Sequence, residues 1–352
     1  MGKEKKGTIY VCHTYYHVYV AMLKEFARPK EEQGKATLVL SRMSNNFEEL
    51  PDRLGKLHVF EEILEYDEKE FTQLPEVEKY HRPTKFFPLS IWNRFRFTKK
   101  YGKAQEPYIP TDFRKYREIY VFCDSDPIGY YLNWKHIYYH AVEDGLDTLK
   151  NRDHARADNE SHFGLKTFLS KKCNILFVQN GYGRYCLDME INDKSVLKYP
   201  CPYHVEVPRS KLMERLTQEE KNIMLRAFVK HADHIESLIA QKDKRTAMIL
   251  TEPLCGLDVR QKLFSDLIKK YEGEYRIILK QHPRDLLDYE KEFPDYLLID
   301  RTVPMEMLNF FENFRVDLII SVFTELGNIQ FADEKLLLGG DFMDAYEDRS
   351  MH

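Results

Sequence analysis

Three short motifs hold the side chains best suited to chemistry, and the first is acidic. Glu143, Asp144 and Gly145 come three residues after an apolar run that ends at His140. A carboxylate at the end of a strand can take the proton of an incoming hydroxyl, and burial can raise its pKa toward the working range. Taken alone, the tripeptide is more typical of an acidic turn that caps the next helix.

The second motif is basic and directly follows the apolar run that ends at Lys280. It reads Lys280, Gln281, His282, Pro283 and Arg284. A histidine can donate a proton or a charged hydrogen bond near neutral pH, and the proline fixes the backbone as it leaves the strand. This chemistry suits a phosphate leaving group, and the alternative is a surface histidine beside a helix-starting proline.

The third motif carries hydroxyl groups. Ser321 and Thr324 follow an apolar run and precede Gly327. Hydroxyls and free amides at a helix N-terminus form an anion site, so we expect a helix to begin here. Serine and threonine are also common N-caps in helices that bind no ligand.

Composition narrows the class of protein. The 352 residues are 43% hydrophobic and 31% charged, which is typical of a globular chain of two domains. A net charge of -4, with basic residues spread over the chain, argues against a nucleic-acid partner. Six cysteines without close Cys-x-x-Cys spacing predict free thiols. The basic start lacks an apolar run of signal-peptide length, so we expect a cytoplasmic protein.

Alternating strand-like and helix-like segments predict an α/β fold with parallel sheets in both halves. A capping box at Thr217 to Glu220 opens a helix running to about His231, which we place in a linker. The predicted domains are 1–215, a linker region 216–245, and 246–352. Two such domains are expected to face a central cleft at the carboxyl ends of their strands. The predicted strands are 8–12, 37–40, 118–123, 136–140, 175–178, 247–251, 276–280, 297–299 and 317–321.

The three motifs in this order resemble bacterial sialyltransferases of glycosyltransferase family 52 and the related bacterial polysialyltransferases. The resemblance extends from Ile9 to about Gly340. It implies a GT-B fold of two Rossmann-like domains, with an inverting transfer of sialic acid from CMP-sialic acid and no metal or other cofactor. The implied partners are this nucleotide-sugar donor and a galactose-type oligosaccharide acceptor of a bacterial capsule or lipooligosaccharide.

The resemblance also implies residue roles. Asp144, with Glu143 as the alternative, would be the general base, and His282 would neutralise or protonate the departing CMP phosphate. The implied donor-binding residues are Lys280, Pro283, Glu306, Ser321 and Thr324, and the acceptor-side candidates are His13, Thr14 and His17. The family often has adjacent serines at the phosphate site, whereas Ser321 and Thr324 are separated by two residues.

A rival interpretation rests on Asp124 and Asp126, an Asp-x-Asp pair that could hold a divalent cation on a diphosphate donor. Pro127 instead makes this segment typical of a helix start. Other interpretations are a GT-B enzyme with a different nucleotide-sugar donor, and a non-catalytic subunit of a capsule-assembly complex.

The stretch from Lys79 to Lys103 combines basic and aromatic residues. It could contact anionic lipid headgroups or a lipid-linked acceptor, which would place the protein peripherally at the inner face of the cell membrane. The alternative is a helix with its rings in the core and a solvated basic side.

Overall fold

The computed structural model describes residues 5–43, 46–81, 86–145, 154–229, 235, 237, 244–282, 284–311, 314–327 and 329–347. The side chains of Phe87, His154 and Glu306 lie outside this description. The chain divides into two compact units, Met1–Leu216 and Thr217–His352.

Unit 1 is built on a parallel seven-stranded sheet with the order β3-β2-β1-β4-β5-β6-β7. Its central strands are apolar and β-branched, which suits strands buried on both faces. Ile9 and Val11 of β1 and Val121 of β4 are fully buried at the centre of the core. The strands are β1 (Lys6–Cys12), β2 (Thr37–Ser41), β3 (Glu62–Tyr66), β4 (Tyr116–Phe122), β5 (Tyr139–Val142), β6 (Cys186–Ile191) and β7 (His204–Glu206).

Helices connect these strands. The Thr14 hydroxyl caps the first helix by accepting from the His17 amide at 3.2 Å. The α-helices of unit 1 are α1 (Tyr15–Phe26), α2 (Leu50–Leu57), α3 (Pro75–Glu78), α4 (Phe87–Ala104), α5 (Pro127–Lys135), α6 (His154–Ala157), α7 (Phe163–Lys171) and α8 (Arg209–Met213). Single 3-10 turns lie at Phe71–Gln73, Glu106–Tyr108 and Phe113–Lys115.

Unit 2 has a parallel five-stranded sheet with the order β10-β9-β8-β11-β12. Its strands are β8 (Arg245–Leu250), β9 (Tyr275–Lys280), β10 (Leu297–Ile299), β11 (Val316–Ser321) and β12 (Ala332–Leu337). Its helices are α9 (Gln218–Phe228), α10 (Leu257–Tyr271), α11 (Tyr289–Glu292) and α12 (Gly340–Met343), with a 3-10 helix at Met305–Phe310. Buried Ala247, Ile249 and Ile320 form the centre of its core with Leu263 and Phe264 of α10.

The capping box at Thr217 is present, because the Thr217 hydroxyl accepts from the Glu220 amide while the Glu220 carboxylate accepts from the Thr217 amide. The helix that it opens is the first element of unit 2 and ends at Phe228, because Val229 after it has an extended backbone. His231, the expected end of this helix, lies outside the described residues.

One predicted strand is absent and one is shifted. Residues 175–178 form an irregular connection although Leu176, Phe177 and Val178 are buried, because β6 takes the place beside β5 in the sheet. The strand predicted at 136–140 begins only at Tyr139, since His136 ends α5 in the left-handed region with φ 59°. Sequence patterning missed four strands: β3, β6, β7 and β12. Polar residues interrupt their apolar patterns, and β3, β7 and β12 lie at sheet edges.

The segment after β11 is also different from the expectation. Residues 322–327 form bends and a turn, so no helix begins at Ser321 or Thr324 in this described stretch. An anion bound there would gain nothing from a helix dipole. The six cysteines, all within the described residues, are free thiols. Among the described residues, no helix has the length and apolar character needed to cross a bilayer.

Candidate functional site

The sheet topologies place the candidate residues at strand carboxyl ends. In unit 1 successive strands are added on one side of β1 up to β3 and then on its other side from β4, so the strand order reverses between β1 and β4. In unit 2 the strand order reverses in the same way between β8 and β11. Ligands of open α/β sheets bind at such switch points. His13 to His17 follow β1, Asp124 to Asp126 follow β4, and Glu143 and Asp144 follow β5. His282 follows β9, and Ser321 ends β11.

Asp144 is an accessible carboxylate with one fixed oxygen. Its side chain is 37% exposed, and Oδ1 lies 2.7 Å from Nε2 of the fully buried His17. The His13 amide donates to His17 Nδ1 at 3.0 Å, so a neutral ring carries its proton on Nε2, the atom that lies beside Asp144 Oδ1. Burial lowers the pKa of His17, which favours this neutral form, while Asp144 opposes the shift.

The ring of His17 is held in place by an aromatic contact with β4. It stacks on Phe122, the last residue of β4, with centroids 4.8 Å apart and planes 19° from parallel. Gly145 follows with φ 122°, a backbone conformation that residues with a side chain rarely adopt. The glycine therefore lets the chain turn immediately after the carboxylate, and the stacked ring fixes where that carboxylate points.

Glu143 has a different environment. Its side chain is 1% exposed, and Oε2 accepts from the Asn192 amide at 2.7 Å. Oε1 lies 3.5 Å from the Tyr16 hydroxyl and 3.7 Å from the Arg209 guanidinium. Burial raises the pKa of Glu143, and Arg209 opposes that shift. Through these contacts Glu143 connects the end of β5 to Asn192, which follows β6, and to Arg209 of α8. The side chain of Asp144, in contrast, is partly open to solvent.

His13 belongs to a buried ionic cluster. Its Nε2 lies 3.1 Å from Glu68 Oε2 and 3.4 Å from Asp126 Oδ2. Burial lowers the pKa of His13, but Glu68 and Asp126 outweigh this and raise it to about 9. Burial raises the pKa of Asp126 to about 7. Ligand atoms of these three residues lie within 4.8 Å of one another, a spacing that could hold a metal ion, and an imidazolium matches the same two carboxylates.

This cluster predicts a pH-dependent stability. Between pH 6.5 and about 9 the folded His13 holds a proton that an unfolded histidine releases, so its stabilisation is complete below pH 6.5 and is lost as the pH rises through 9. We expect the melting temperature of wild type to fall over this interval by about 2–4 °C or more, which corresponds to roughly 1 kcal/mol at this size. Thermal melts of wild type and His13→Gln across pH 6–9.5 measure it. An equally steep fall in the variant would contradict this role for His13.

The Asp-x-Asp pair does not converge on one point. Asp124 is buried, and its two oxygens accept from the Asn180 amide and the Tyr139 hydroxyl, each at 2.9 Å. Asp126 is the N-cap residue of α5 and faces His13. Pro127 stands at the first turn of that helix, as the helix-start interpretation requires. The two carboxylates serve different partners.

In unit 2, His282 is half-buried and oriented from both sides. Its amide donates to the Thr251 hydroxyl at 3.0 Å, and its Nδ1 accepts from the Arg284 amide at 3.1 Å. A neutral ring therefore carries its proton on Nε2. Burial lowers the pKa of His282, while the charge of Glu252 opposes that shift. This arrangement supplies a pre-oriented N–H donor at the end of β9.

Of the other candidate donor-binding residues, Lys280 has a structural role, and two lie at least partly outside the described residues. Lys280 is buried, and its ammonium donates to the backbone carbonyls of Gln281 at 2.7 Å and Asp300 at 3.0 Å. Its charge therefore secures the end of β9 against the segment after β10. Pro283 and the side chain of Glu306 lie outside the described residues.

Ser321 does not present a free hydroxyl. Its Oγ lies 2.8 Å from Glu252 Oε1 and 2.9 Å from the Thr324 carbonyl oxygen. Glu252 also accepts from the amides of Val322 at 2.8 Å and Phe323 at 3.1 Å. The donors that the sequence suggested for a phosphate thus bind a carboxylate of the protein itself. Thr324 is exposed, and its side chain is nearer to solvent than that of Ser321.

Sequence reasoning missed Glu252 and Glu68. Glu252 comes two residues after β8, so its place after an apolar run was the available signal. Glu68 has no comparable mark, because it follows the edge strand β3, whose residues alternate only weakly. Both are buried carboxylates, at 4% and 3% exposure, and a buried charge needs partners that only the fold supplies.

Comparison with known sequences identifies the family. The sequence model described as glycosyltransferase family 52 matches residues 94–324, which is more than half of the chain. The chain belongs to glycosyltransferase family 52. An uncharacterised protein of Haemophilus influenzae (strain KW20 Rd) is 25% identical over 176 residues, covering 49% of this chain. The chain spans about half (52%) of the length of that relative.

Solved structures show that this family 52 chain has the GT-B fold. An α/β-galactoside α-2,3-sialyltransferase of Photobacterium phosphoreum is similar over 99% of this chain and 97% of its own, with 12% identity and a TM-score of 0.52. A 2,6-sialyltransferase of Photobacterium sp. JT-ISH-224, solved with CMP and lactose, covers 94% and 71%, with 10% identity and a TM-score of 0.55. The GT-B domain of a Photobacterium damselae sialyltransferase covers 94% and 89%, with 12% identity and a TM-score of 0.51.

Proposed function

We propose that this protein is an inverting sialyltransferase that moves sialic acid from CMP-sialic acid to a galactose-type acceptor of a bacterial surface polysaccharide. Membership of family 52 supports the reaction class. A structural relative was solved with CMP as donor product and lactose as acceptor substrate, which supports this donor and this kind of acceptor. The observation that carries the proposal is the accessible Asp144 carboxylate, held by a neutral, buried His17.

In the proposed reaction Asp144 removes the proton from an acceptor hydroxyl. The acceptor oxygen then forms a bond to the anomeric carbon of sialic acid, and the bond from that carbon to the phosphate oxygen of CMP breaks. One displacement inverts the anomeric configuration. The Nε2–H of His282 donates to the departing phosphate, whose negative charge grows as the bond breaks. CMP leaves with the bonding electron pair.

The proposed reaction uses no metal or other cofactor. A single phosphate carries less charge than a diphosphate, and a histidine with a few hydroxyl or amide donors can balance it. The donor-side residues of the described part of unit 2 include such groups in His282 and Thr324. The His13 cluster would then act as an ionic support for the β1 end rather than as a metal site.

The direct test is turnover with defined substrates. Purified protein, CMP-sialic acid and lactose are incubated with EDTA, and release of CMP and the sialylated product are measured by chromatography and mass spectrometry. We expect acceptor-dependent CMP release that survives EDTA. No product with any galactose-terminated acceptor, together with thermal stabilisation by UDP or GDP but not by CMP, would reject this donor assignment, since only a ligand of the native state raises the melting temperature.

His17 is proposed as a positioning residue for the base. His17→Ala removes the donor to Asp144 and leaves a gap above Phe122, so we expect kcat to fall about tenfold or more with an unchanged affinity for CMP. His17→Gln places an N–H donor at the position of Nε2 and should restore part of kcat. The measurement is kcat against the dissociation constant of CMP. Equal losses of kcat in both variants would point to a purely structural role.

We also propose that the surface formed by Phe86, Leu89 and Trp92 contacts an anionic membrane. These side chains are 65%, 46% and 54% exposed on and beside α4, whereas Phe97 and Tyr101 of the same helix are buried. Basic residues neighbour these three positions along the sequence, and their charge favours acidic headgroups. The basic, aromatic stretch thus divides into a core face and an exposed face.

The membrane prediction uses two pairs of exposed residues. Leu89→Ser with Trp92→Ser should lower binding to vesicles of phosphatidylglycerol and phosphatidylcholine about tenfold or more, since each buried apolar side chain contributes ~1.5–3 kcal/mol. Leu286→Ser with Leu337→Ser, at 77% and 53% exposed in unit 2, serves as the matched control and should bind like wild type. Co-sedimentation with vesicles measures the difference. Binding that is equal in all three proteins would remove this surface from the proposal.

A further inference from the structure

The carboxylate of Glu252 fills the amide nest at the end of β11. Oε1 accepts from the Ser321 hydroxyl and the Val322 amide, each at 2.8 Å, and from the Phe323 amide at 3.2 Å. Oε2 accepts from the same Phe323 amide at 3.1 Å. Two successive amides and a hydroxyl that converge on one point form an anion-binding nest. In this protein the anion is an internal side chain that is 4% exposed.

The position of this nest is that of a ligand site. Glu252 follows β8 and Ser321 ends β11, so the carboxylate lies at the switch point of the unit 2 sheet. His282 follows β9 on the other side of β8, and the Glu252 charge acts on its ring. An oxygen-rich group of a donor that binds beside His282 therefore meets a fixed negative charge instead of free amide donors.

We propose that Glu252 selects a donor with a single phosphate and excludes nucleoside-diphosphate sugars. This inference rests on the proposed function and refines its donor specificity. CMP-sialic acid has one charge on its phosphodiester, which His282 can balance, and its other charge lies on the sugar carboxylate. A diphosphate places a second charge directly beside the first, which needs further donors at the same point, and the amides of Val322 and Phe323 are already bound to Glu252. Repulsion from the carboxylate adds to that loss.

CMP and CDP isolate this effect, because they share base and ribose and differ by one phosphate. Isothermal titration calorimetry on the full chain gives the dissociation constants for wild type and Glu252→Gln. We expect wild type to bind CMP at least about tenfold more tightly than CDP, and the variant to reduce that ratio about tenfold. Glutamine keeps the shape and one acceptor oxygen of Glu252 while removing the charge.

Two further variants separate charge from structure. Glu252→Asp keeps the charge and should keep most of the preference for CMP. Glu274→Gln removes a carboxylate that is 66% exposed and lies just before β9, and it should leave the ratio unchanged. A folded Glu252→Gln with the wild-type ratio would overturn the inference, because Glu252 would then only stabilise the turn.

The wild-type measurement decides the matter even if Glu252→Gln fails to fold. Equal affinity of wild type for CMP and CDP would overturn the selection proposed for Glu252 while leaving a CMP-dependent transfer intact. No affinity for CMP, with none for CMP-sialic acid, would overturn both this inference and the proposed function. Turnover with CMP-sialic acid but tighter binding of CDP would reject only the role of Glu252.

Discussion

Asp144→Asn is expected to lower kcat by about 10²–10⁴-fold while leaving the affinity for CMP within about twofold of wild type. The reason is geometric as well as chemical. Asparagine keeps an oxygen that can accept from His17 Nε2, so the segment after β5 retains its support. It cannot take a proton from the acceptor hydroxyl at neutral pH. The loss should therefore appear in the chemical step and not in donor binding.

The controls for Asp144 separate a missing base from a damaged fold. Asp193→Asn changes a partly exposed carboxylate of unit 1 whose described hydrogen bonds are to the neighbouring Ser195, and it should keep wild-type kcat. Glu143→Gln changes the neighbouring carboxylate, which is buried against the Asn192 amide, so we expect it to lower the melting temperature. If Asp144→Asn kept more than about a tenth of kcat while folded Glu143→Gln lost nearly all of it, Glu143 would be the base.

His282→Ala is the second change with a large expected effect. Loss of one oriented donor to a developing charge costs about 10²–10³-fold in kcat. The Arg284 amide holds Nδ1 and thereby directs Nε2–H outward, so the alanine variant loses a donor that needs no reorganisation. The affinity for CMP should also weaken, because the product keeps the phosphate that His282 contacts in this proposal.

His282→Gln measures how much of that effect is hydrogen bonding. Glutamine can place an N–H near the position of Nε2 but cannot transfer a proton, so its kcat should lie between those of wild type and His282→Ala. Burial lowers the pKa of His282, and the protein without donor therefore carries a mostly neutral ring at pH 7 and above. His58→Asn, a change at an exposed histidine of unit 1, is the control. Wild-type kcat in His282→Ala would remove His282 from the reaction.

The ionic cluster of His13, Glu68 and Asp126 and the proposed base Asp144 are connected through the residues that follow β1. The backbone amide of His13 donates to the His17 ring, and Nε2 of that ring lies 2.7 Å from Asp144 Oδ1. His13 is itself held by Glu68 and Asp126, so His13, Thr14 and His17 serve the protein's own structure. In the proposed enzyme they also influence the acceptor hydroxyl through Asp144, and their direct contact with the acceptor stays a prediction.

Much of the fold was accessible from the sequence alone. The central strands β1, β4, β8, β9 and β11 are nearly continuous apolar runs, because both faces of a parallel sheet are covered. The capping box at Thr217 marks a helix start by local hydrogen bonds that need no tertiary contact. Family membership likewise followed from short motifs in a fixed order, and comparison with known sequences confirmed it.

The partners of each candidate side chain were decided by the tertiary structure. Glu143 and Asp144 are adjacent and chemically alike, yet one is buried against Asn192 and the other is exposed beside His17. Glu252 and Ser321 are far apart in sequence but share a hydrogen bond, because parallel strands bring their carboxyl ends to one edge. The pattern of apolar and polar residues along the chain indicates which faces of the strands and helices are buried. It does not indicate which distant carboxylate binds which amide, since that depends on the order of the strands in the sheet.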